Sequence, residues 1–475
     1  MRREQSILRE LDWTTVIVWL IMIFIGWLTV YAACYDYEHP DLFDFSRRQG
    51  QQFIWMGVSS LLAIFILAID TRFFGNIAYL FYALMMGLLV VTIFVAPDVK
   101  GSHSWIQMGG FRFQPAELAK YATALCLAKF MSTYGYNMKR PRDFIITALI
   151  IGLPMLIIVA QQETGSALVF VVFILVLFRE GLNGDILIYG ALAILFFVLQ
   201  LMFGYSVVFT AAVIIGLPLI IHYTRDASLF KIYALMNIAI WAICLIIRLI
   251  KAELLSYTVI SIISLGASAL LLIVFSFIRR NKAYLAVVLF FIGTAGLCCG
   301  ADYAFNNVLQ PHQQIRIKVV LGLEDDPQGA GYNVRQARIA IGSGGFFGKG
   351  FLNGTQTKLN YVPEQDTDFI FCTIGEEQGF FGCIIVVLLY VFFICRIILL
   401  AERQRTPFSR IYGYSVACIF FFHFCINIGM VIGLLPVIGI PLPFFSYGGS
   451  SMLAFTILLF TFLKLDTHRT DYMAA

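Results

Sequence analysis

Three carboxylates stand in a row at Glu324, Asp325 and Asp326, directly before Pro327. Like charges this close resist full ionisation together, which raises the basicity of one member. A carboxylate tuned in this way can act as a general base toward a hydroxyl. The same oxygens can hold a hard divalent cation, Mg or Mn, with Asp325 and Asp326 as the candidate ligands. The run also suits a solvated acidic turn, because Asp-Pro followed closely by glycine is a turn signal. Spacing alone leaves these readings open.

A second pair stands in "RFQPAELAKYATAL", where Glu117 and Lys120 lie three residues apart on an otherwise apolar segment. At that spacing they share one helix face and can pair. Further polar residues border apolar runs: Gln161 and Glu163 in "QQETGSALVF", Asp368, Glu376 and Glu377 in "PEQDTDFIFCTIGEEQGFFG", and Ser446, Tyr447 and Ser450 in "PLPFFSYGGSS". Polar and charged groups inside a bilayer are costly, so each is a candidate site residue as well as a candidate structural pair. Other chemistries are missing. The six histidines show no metal-ligand spacing, there is no GxSxG, and "GGFFGKG" fails as a phosphate loop because Ser343 and Gly350 stand where glycine and Ser or Thr are needed.

The elements that must position these residues are membrane spans. The chain has 475 residues, is 60% hydrophobic and only 13% charged, and contains 45 Phe. Its mean hydropathy is +0.85. No soluble surface could be built from it, and its recurrent apolar runs have the length of bilayer-crossing helices, not of alternating barrel strands. The expected fold is all-α and polytopic, with about fourteen spans at 13–33, 53–69, 73–95, 114–133, 144–160, 166–178, 185–203, 206–222, 229–249, 254–278, 283–303, 369–398, 411–435 and 446–464. The N-terminal apolar run shows no clear cleavage site and reads as a retained first span. The net charge of +5 sits in short loops and does not point to nucleic acid. The ten cysteines lie mostly in apolar runs without a CxxC pair and read as small hydrophobes.

Lysine and arginine in the short loops set the orientation. With the N-terminus in the cytoplasm, "NMKRPRD" (137–143), "FIRRNKAY" (277–284), "AERQRTPFSR" (401–410) and the C-terminal "KLDTHRTD" all fall inside, with Arg248 and Lys251 the mild exception. Eleven expected spans then precede the one long gap, 304–368, and place it outside. The gap is expected to be ordered, because "QQIRIKVVLGL" and "GYNVRQARIAIG" carry apolar residues at helical spacing. All the polar residues named above fall at its membrane face, which suggests a polar cavity roofed by this segment.

Four long stretches carry a family resemblance: "FRFQPAELAKY", "DDPQGAGYNVRQARIAIGSGGFFGKGFLNGTQTK", "YVPEQDTDFIFCTIGEEQGFFG" and "NIGMVIGLLPVIGIPLPFFSYGGSS". In this order they resemble the SEDS family (shape, elongation, division and sporulation proteins), and within it the RodA branch more than the FtsW branch. The resemblance implies a peptidoglycan glycosyltransferase that polymerises lipid II at the outer face of the bacterial cytoplasmic membrane for cell elongation and rod shape, with a class B penicillin-binding protein as partner. It implies that Asp326 is the catalytic residue and that Glu117 and Lys120 matter for function. Within its motifs Gln336, Glu364, Asp368, Glu376, Ser446 and Tyr447 are candidate substrate or support residues, while Arg316 and Lys318 are candidates to offset charge on a departing diphosphate. Polyprenyl-diphosphate-linked glycan and membrane lipid are the remaining expected ligands.

Two departures from the family pattern stand out. "QQETGS" places Glu163 where the family has Asp. The middle holds about five spans over 185–303 where typical members have one, so four are read as added to a core of about ten within a single 1–475 membrane domain. The rival reading is a flippase for lipid-linked precursors, which composition alone does not separate from an enzyme.

Overall fold

The computed structural model describes residues 7–35, 41–97, 102–108, 111–225, 227–250, 255–324 and 329–469. They form two units, one of residues up to 182 together with those from 326 onward, the other of residues 183–325.

The first unit begins with α1 (Ile7–Glu10), α2 (Trp13–Ala33), α3 (Arg48–Ala68) and α4 (Thr71–Val95). Asp12 accepts a hydrogen bond from the Thr15 backbone N–H at 3.1 Å and starts α2 in this way. A short antiparallel hairpin follows, β1 (Ile106–Met108) against β2 (Phe111–Phe113), with Ile106 opposite Phe113. It is a short local hairpin in an otherwise helical first unit, among the described residues. The stretch is too short and too polar to cross a membrane, and it delivers the chain directly to Pro115, the first residue of α5 (Pro115–Met131). Proline suits that position because its missing N–H would have no helical partner there. Next come α6 (Pro141–Ala160), α7 (Thr164–Leu168), a 3-10 turn at Val169–Val172 and α8 (Phe173–Arg179).

The second unit holds α9 (Gly184–Phe203), α10 (Tyr205–Thr224), α11 (Ala227–Ile250), α12 (Tyr257–Arg279), α13 (Ala283–Tyr303) extended by a π turn, and α14 (Pro311–Val320). Phe196, Phe209, Tyr233, Leu272, Tyr284 and Phe291 fill its interior. Polar ties cross between its helices. Gln200 donates to the Cys298 carbonyl at 2.9 Å, and the Asn237 carbonyl oxygen accepts from Ser264 at 2.5 Å and Ser268 at 3.2 Å. Such bonds fix helix register where lipid provides no hydrophobic drive between helices. The expected insertion 185–303 falls within this unit, which runs on through α14.

The chain returns to the first unit with α15 (Ala330–Ser343), a turn-rich stretch over 344–369, α16 (Ile370–Glu377), α17 (Gly379–Glu402), α18 (Pro407–Val431) and α19 (Gly449–Thr467). The segment 304–368, expected as a loop, thus contains α14 and α15. Where one span was expected over 369–398, two helices meet at Gly379, whose φ is +67°. A Cβ there would lie 2.3 Å from the Gly348 backbone nitrogen, so only glycine lets the 344–350 turn close onto the helix.

Helices stand at all fourteen expected positions, and twelve of them are long and apolar enough to cross a membrane. The other two are α5, which has 17 residues and carries Glu117, Lys120 and Lys129, and the broken run Thr164–Arg179. The protein is a mostly helical, multi-pass membrane protein.

Candidate functional site

Ion pairs and loop contacts locate one end of the first unit where α2 finishes. Lys358 donates to the Ala32 carbonyl, Gln365 donates to the Ala33 carbonyl at 2.8 Å, and Arg48 pairs with Asp366 at 2.5 Å. The N-termini of α3, α5 and α19 and the C-termini of α4, α6 and α18 reach the same end, joined by the contacts below.

Glu117 and Lys120 are buried one turn into α5, with Lys120 Nζ 2.8 Å from Glu117 Oε1. Lys120 makes a second contact that sequence reading missed, to His423 Nε2 of α18 at 3.0 Å. His423 Nδ1 lies 3.1 Å from the Pro441 carbonyl oxygen. The second oxygen, Glu117 Oε2, is buried without a hydrogen-bond partner. Lys120 also sits 5.3 Å from the centre of the Phe455 ring. A signal for His423 was present: it is a titratable residue inside the apolar run "FFFHFCIN".

Glu163 holds the entry to α5. Its carboxylate accepts from Gln114 at 2.6 Å, from Ser102 at 2.9 Å, from Ser166 at 3.1 Å and from Ser104. Gln114 directly precedes Pro115, so Glu163 ties the loop before α5 to the start of α7. Gln161 donates to the Leu89 carbonyl at 2.7 Å and links α6 to α4.

Glu376 is enclosed by the 349–357 turn. Its oxygens accept from the backbone N–H groups of Thr355 (2.8 Å), Gln356 (2.8 Å) and Thr357 (3.0 Å), and from Lys349 Nζ at 2.7 Å. Three successive amides turned to one anion form a nest, and here the protein's own carboxylate fills it. Glu377 is buried and pairs with Lys358 at 3.0 Å.

The segment 438–447 runs as a buried strap between the helices. At Gly26 of α2 the strap passes so close that a Cβ would lie 2.3 Å from the Phe444 carbonyl oxygen. Irregular backbone at membrane depth survives only where protein encloses it. Asn427 holds the strap by donating to the Ile440 and Asp368 carbonyls, each at 2.8 Å. Ser446 donates to the Thr367 carbonyl at 2.6 Å while its oxygen accepts from the Leu442 N–H at 2.8 Å. The Tyr447 hydroxyl donates to Gln51 at 2.5 Å. Glu364, at φ +54°, accepts from the Thr367 hydroxyl at 3.2 Å. It lines a cavity of about 500 Å³ together with Arg47, Arg48, Gln49, Gln365 and Asp366.

The expected residues thus separate into three groups instead of lining one cavity. Glu117 and Lys120 form a buried pair with His423, Glu376 is caged by its turn, and Glu364, Asp368, Ser446 and Tyr447 tie the strap to the 360–369 segment and to α3. The charges are too expensive to face an apolar interior unpaired, so each is drawn into its own hydrogen-bonded shell. Gln336 is half-buried on α15. Arg316 and Lys318 stand on α14 of the second unit, where Lys318 pairs with Glu324 at 3.1 Å. Asp325 and Asp326 lie outside the described residues. Among the described residues no three His, Cys, Asp or Glu side chains converge as a metal site.

The family model described as "Cell cycle protein", covering FtsW, RodA and SpoVE, matches residues 12–215 and 207–471. The chain is 30% identical over 449 residues to "Peptidoglycan glycosyltransferase RodA" of Treponema pallidum, covering 93% of this chain and 94% of that protein. It is 28% identical over 463 residues to "Peptidoglycan glycosyltransferase MrdB" of Escherichia coli K12, covering 97% and 94%. Among solved structures, it matches a chain described under "Structural coordination of polymerization and crosslinking by a peptidoglycan synthase complex" with a TM-score of 0.62, 22% identity and 97% and 98% coverage. The crystal structure of the Thermus thermophilus rod shape determining protein RodA matches with a TM-score of 0.53, 20% identity and the same coverages.

Proposed function

The chain belongs to the FtsW/RodA/SpoVE family of cell cycle proteins, and on that premise we propose that it is a peptidoglycan glycosyltransferase that polymerises lipid II. The observation that carries this reading is the likeness, along nearly its whole length, to relatives named for that activity. The geometry of the first unit supports it. Lys120 and Glu117 are held inside α5 with hydrogen-bonding capacity unspent, an arrangement suited to handling a polar group at the membrane.

The donor is a growing glycan on a polyprenyl diphosphate, and the acceptor is the free 4-hydroxyl of the N-acetylglucosamine of lipid II. Asp326 takes the hydroxyl proton as the oxygen attacks the anomeric carbon. The new glycosidic bond forms with inversion as the bond to the diphosphate breaks, and the diphosphate leaves with the electron pair. Arg316 and Lys318, and separately Lys120, are the candidates to offset its charge. A divalent cation, Mg or Mn, at Asp325 and Asp326 belongs to the same proposal. The protein works in the bacterial cytoplasmic membrane with both termini in the cytoplasm and the α2-finishing end outward, beside a class B penicillin-binding protein that crosslinks the product.

The test is strand formation from purified lipid II by the purified protein with its partner, read on a gel. The wild type forms strands. Asp326→Asn accumulates normally and slows the reaction by about 10²–10⁴-fold, the usual effect of losing a general base. Wild-type protein without polymerising activity, or Asp326→Asn at the wild-type rate, overturns the activity or the base assignment respectively.

A further inference from the structure

We propose that His423 is a positioning residue that sets the direction of the Lys120 ammonium, a role that rests on the glycosyltransferase reading above. The carbonyl oxygen of Pro441 can only accept, so the imidazole proton sits on Nδ1, 3.1 Å from it. Nε2 then carries a lone pair and accepts from Lys120 at 3.0 Å. Lys120 spends a second N–H on Glu117 at 2.8 Å. An ammonium nitrogen is tetrahedral. With its carbon and two N–H bonds directed, the third N–H has only one direction left, and it has no protein acceptor among the described residues.

Without His423, Lys120 would still pair with Glu117 but could rotate about its terminal bond. The imidazole therefore supplies what a lone i, i+3 pair lacks. It also ties that direction to the strap through Pro441, and both side chains sit against Phe455: the His423 ring at 4.9 Å between centroids and the Lys120 ammonium at 5.3 Å from the ring centre. His423 and Lys120 are both buried, 1% and 0% exposed, and His423 acts through its contact with Lys120.

Two substitutions divide its contacts. In His423→Asn the short amide still donates to Pro441 but does not reach Lys120. In His423→Gln the longer amide oxygen accepts from Lys120 and gives up Pro441. His423→Asn lowers kcat by about 10–100-fold with little change in KM for lipid II, because a misdirected group costs rate more than binding. His423→Gln restores most of that loss. In a Lys120→Ala background, His423→Asn lowers kcat no further. Wild-type kcat in His423→Asn, an equal loss in His423→Gln, or additive losses overturn the proposal.

A second measurement needs no activity and so separates this proposal from the glycosyltransferase reading. In protein labelled with 15N-histidine, the wild type shows a neutral imidazole protonated on Nδ1, and the Nε2 resonance of His423 moves in Lys120→Met. An imidazole protonated on Nε2, or an Nε2 resonance indifferent to Lys120→Met, overturns the proposal even where the histidine variants fail to accumulate.

Discussion

The two ends of the first unit solve the same problem, charge beside a membrane, with different cations. Where α2 finishes, two pairs use lysines withdrawn from solvent, beside the more exposed Lys349–Glu376 and Arg48–Asp366: the side chains of Lys120 and Glu117 are 1% and 3% exposed, and those of Lys358 and Glu377 are 3% and 0% exposed. Where α2 begins, the partners are arginines that remain in reach of water. Arg396 pairs with Asp12, Arg403 with Asp466, Arg410 with Glu180 at 2.8 Å and Arg179 with Glu402 at 3.0 Å. Arginine meets a carboxylate with a planar fork and two parallel bonds, as in the bonds of Arg410 to both Glu180 oxygens. Such a pair staples helix ends and uses up the acceptors it meets.

The lysine end is wired otherwise. Glu117 Oε2 is buried without a hydrogen-bond partner among the described residues. Buried polar groups are normally satisfied, and an orphan needs an explanation. A staple has no use for a spare acceptor, whereas a site that meets a hydroxyl or N–H donor does. The difference teaches that the two ends are not equivalent anchors: one uses its acceptors in exposed arginine forks, and the other keeps a buried carboxylate oxygen without a protein partner among the described residues.

The largest expected effect breaks the lysine end. Glu117→Ala or Lys120→Ala each strands a buried charge, which costs about 3–5 kcal/mol. Thermal unfolding in detergent checks this, and the double variant loses less than the sum of the two because the members pair. Strict additivity would show that the 2.8 Å contact carries no energy.

Next is the nest. Glu376→Ala leaves the amides of Thr355, Gln356 and Thr357 facing an empty space, at about 1–3 kcal/mol for an unsatisfied buried group. Hydrogen exchange is expected to rise selectively over 349–357, and uniform exchange across the unit would reduce Glu376 to one contact among many.

At the arginine end the effects are smaller. Burial pushes the Asp12 carboxyl up, but hydrogen bonds from Arg396 and from Thr15 outweigh it and hold the carboxyl below its ordinary range. A depressed native value stabilises the fold above the unfolded pKa, and that contribution fades as pH falls through the native value. Unfolding temperature from pH 7 downward should therefore drop more steeply in the wild type than in Asp12→Asn. Parallel curves would remove Asp12 from the acid response. The smallest effect is Arg179→Ala, whose pair with Glu402 is about half exposed on both sides. It should shift Tm by about 2 °C or less, and less still at high salt. A larger loss would mean that this end, too, does more than staple.

Much of this arrangement follows from the chain read alone. Apolar runs of bilayer length mark where helices stand, because a backbone in lipid must bond to itself. Helical spacing in "GYNVRQARIAIG" anticipates α15, and i, i+3 spacing anticipates the Glu117–Lys120 pair, since both depend on neighbours within one turn. The break at Gly379 falls inside the single span expected over 369–398, and the approach of Gly348 decides it. Glu376 reads as a buried charge in sequence, yet its partners come from a turn some twenty residues upstream. His423 meets Lys120 across 303 residues. Local spacing determined which side chains could share a helix face, because a helix repeats every few residues. Only the packing of α5, α18 and the strap decided which of those faces met, because hydrogen bonds between distant segments depend on where the backbone returns and leave no period in the sequence.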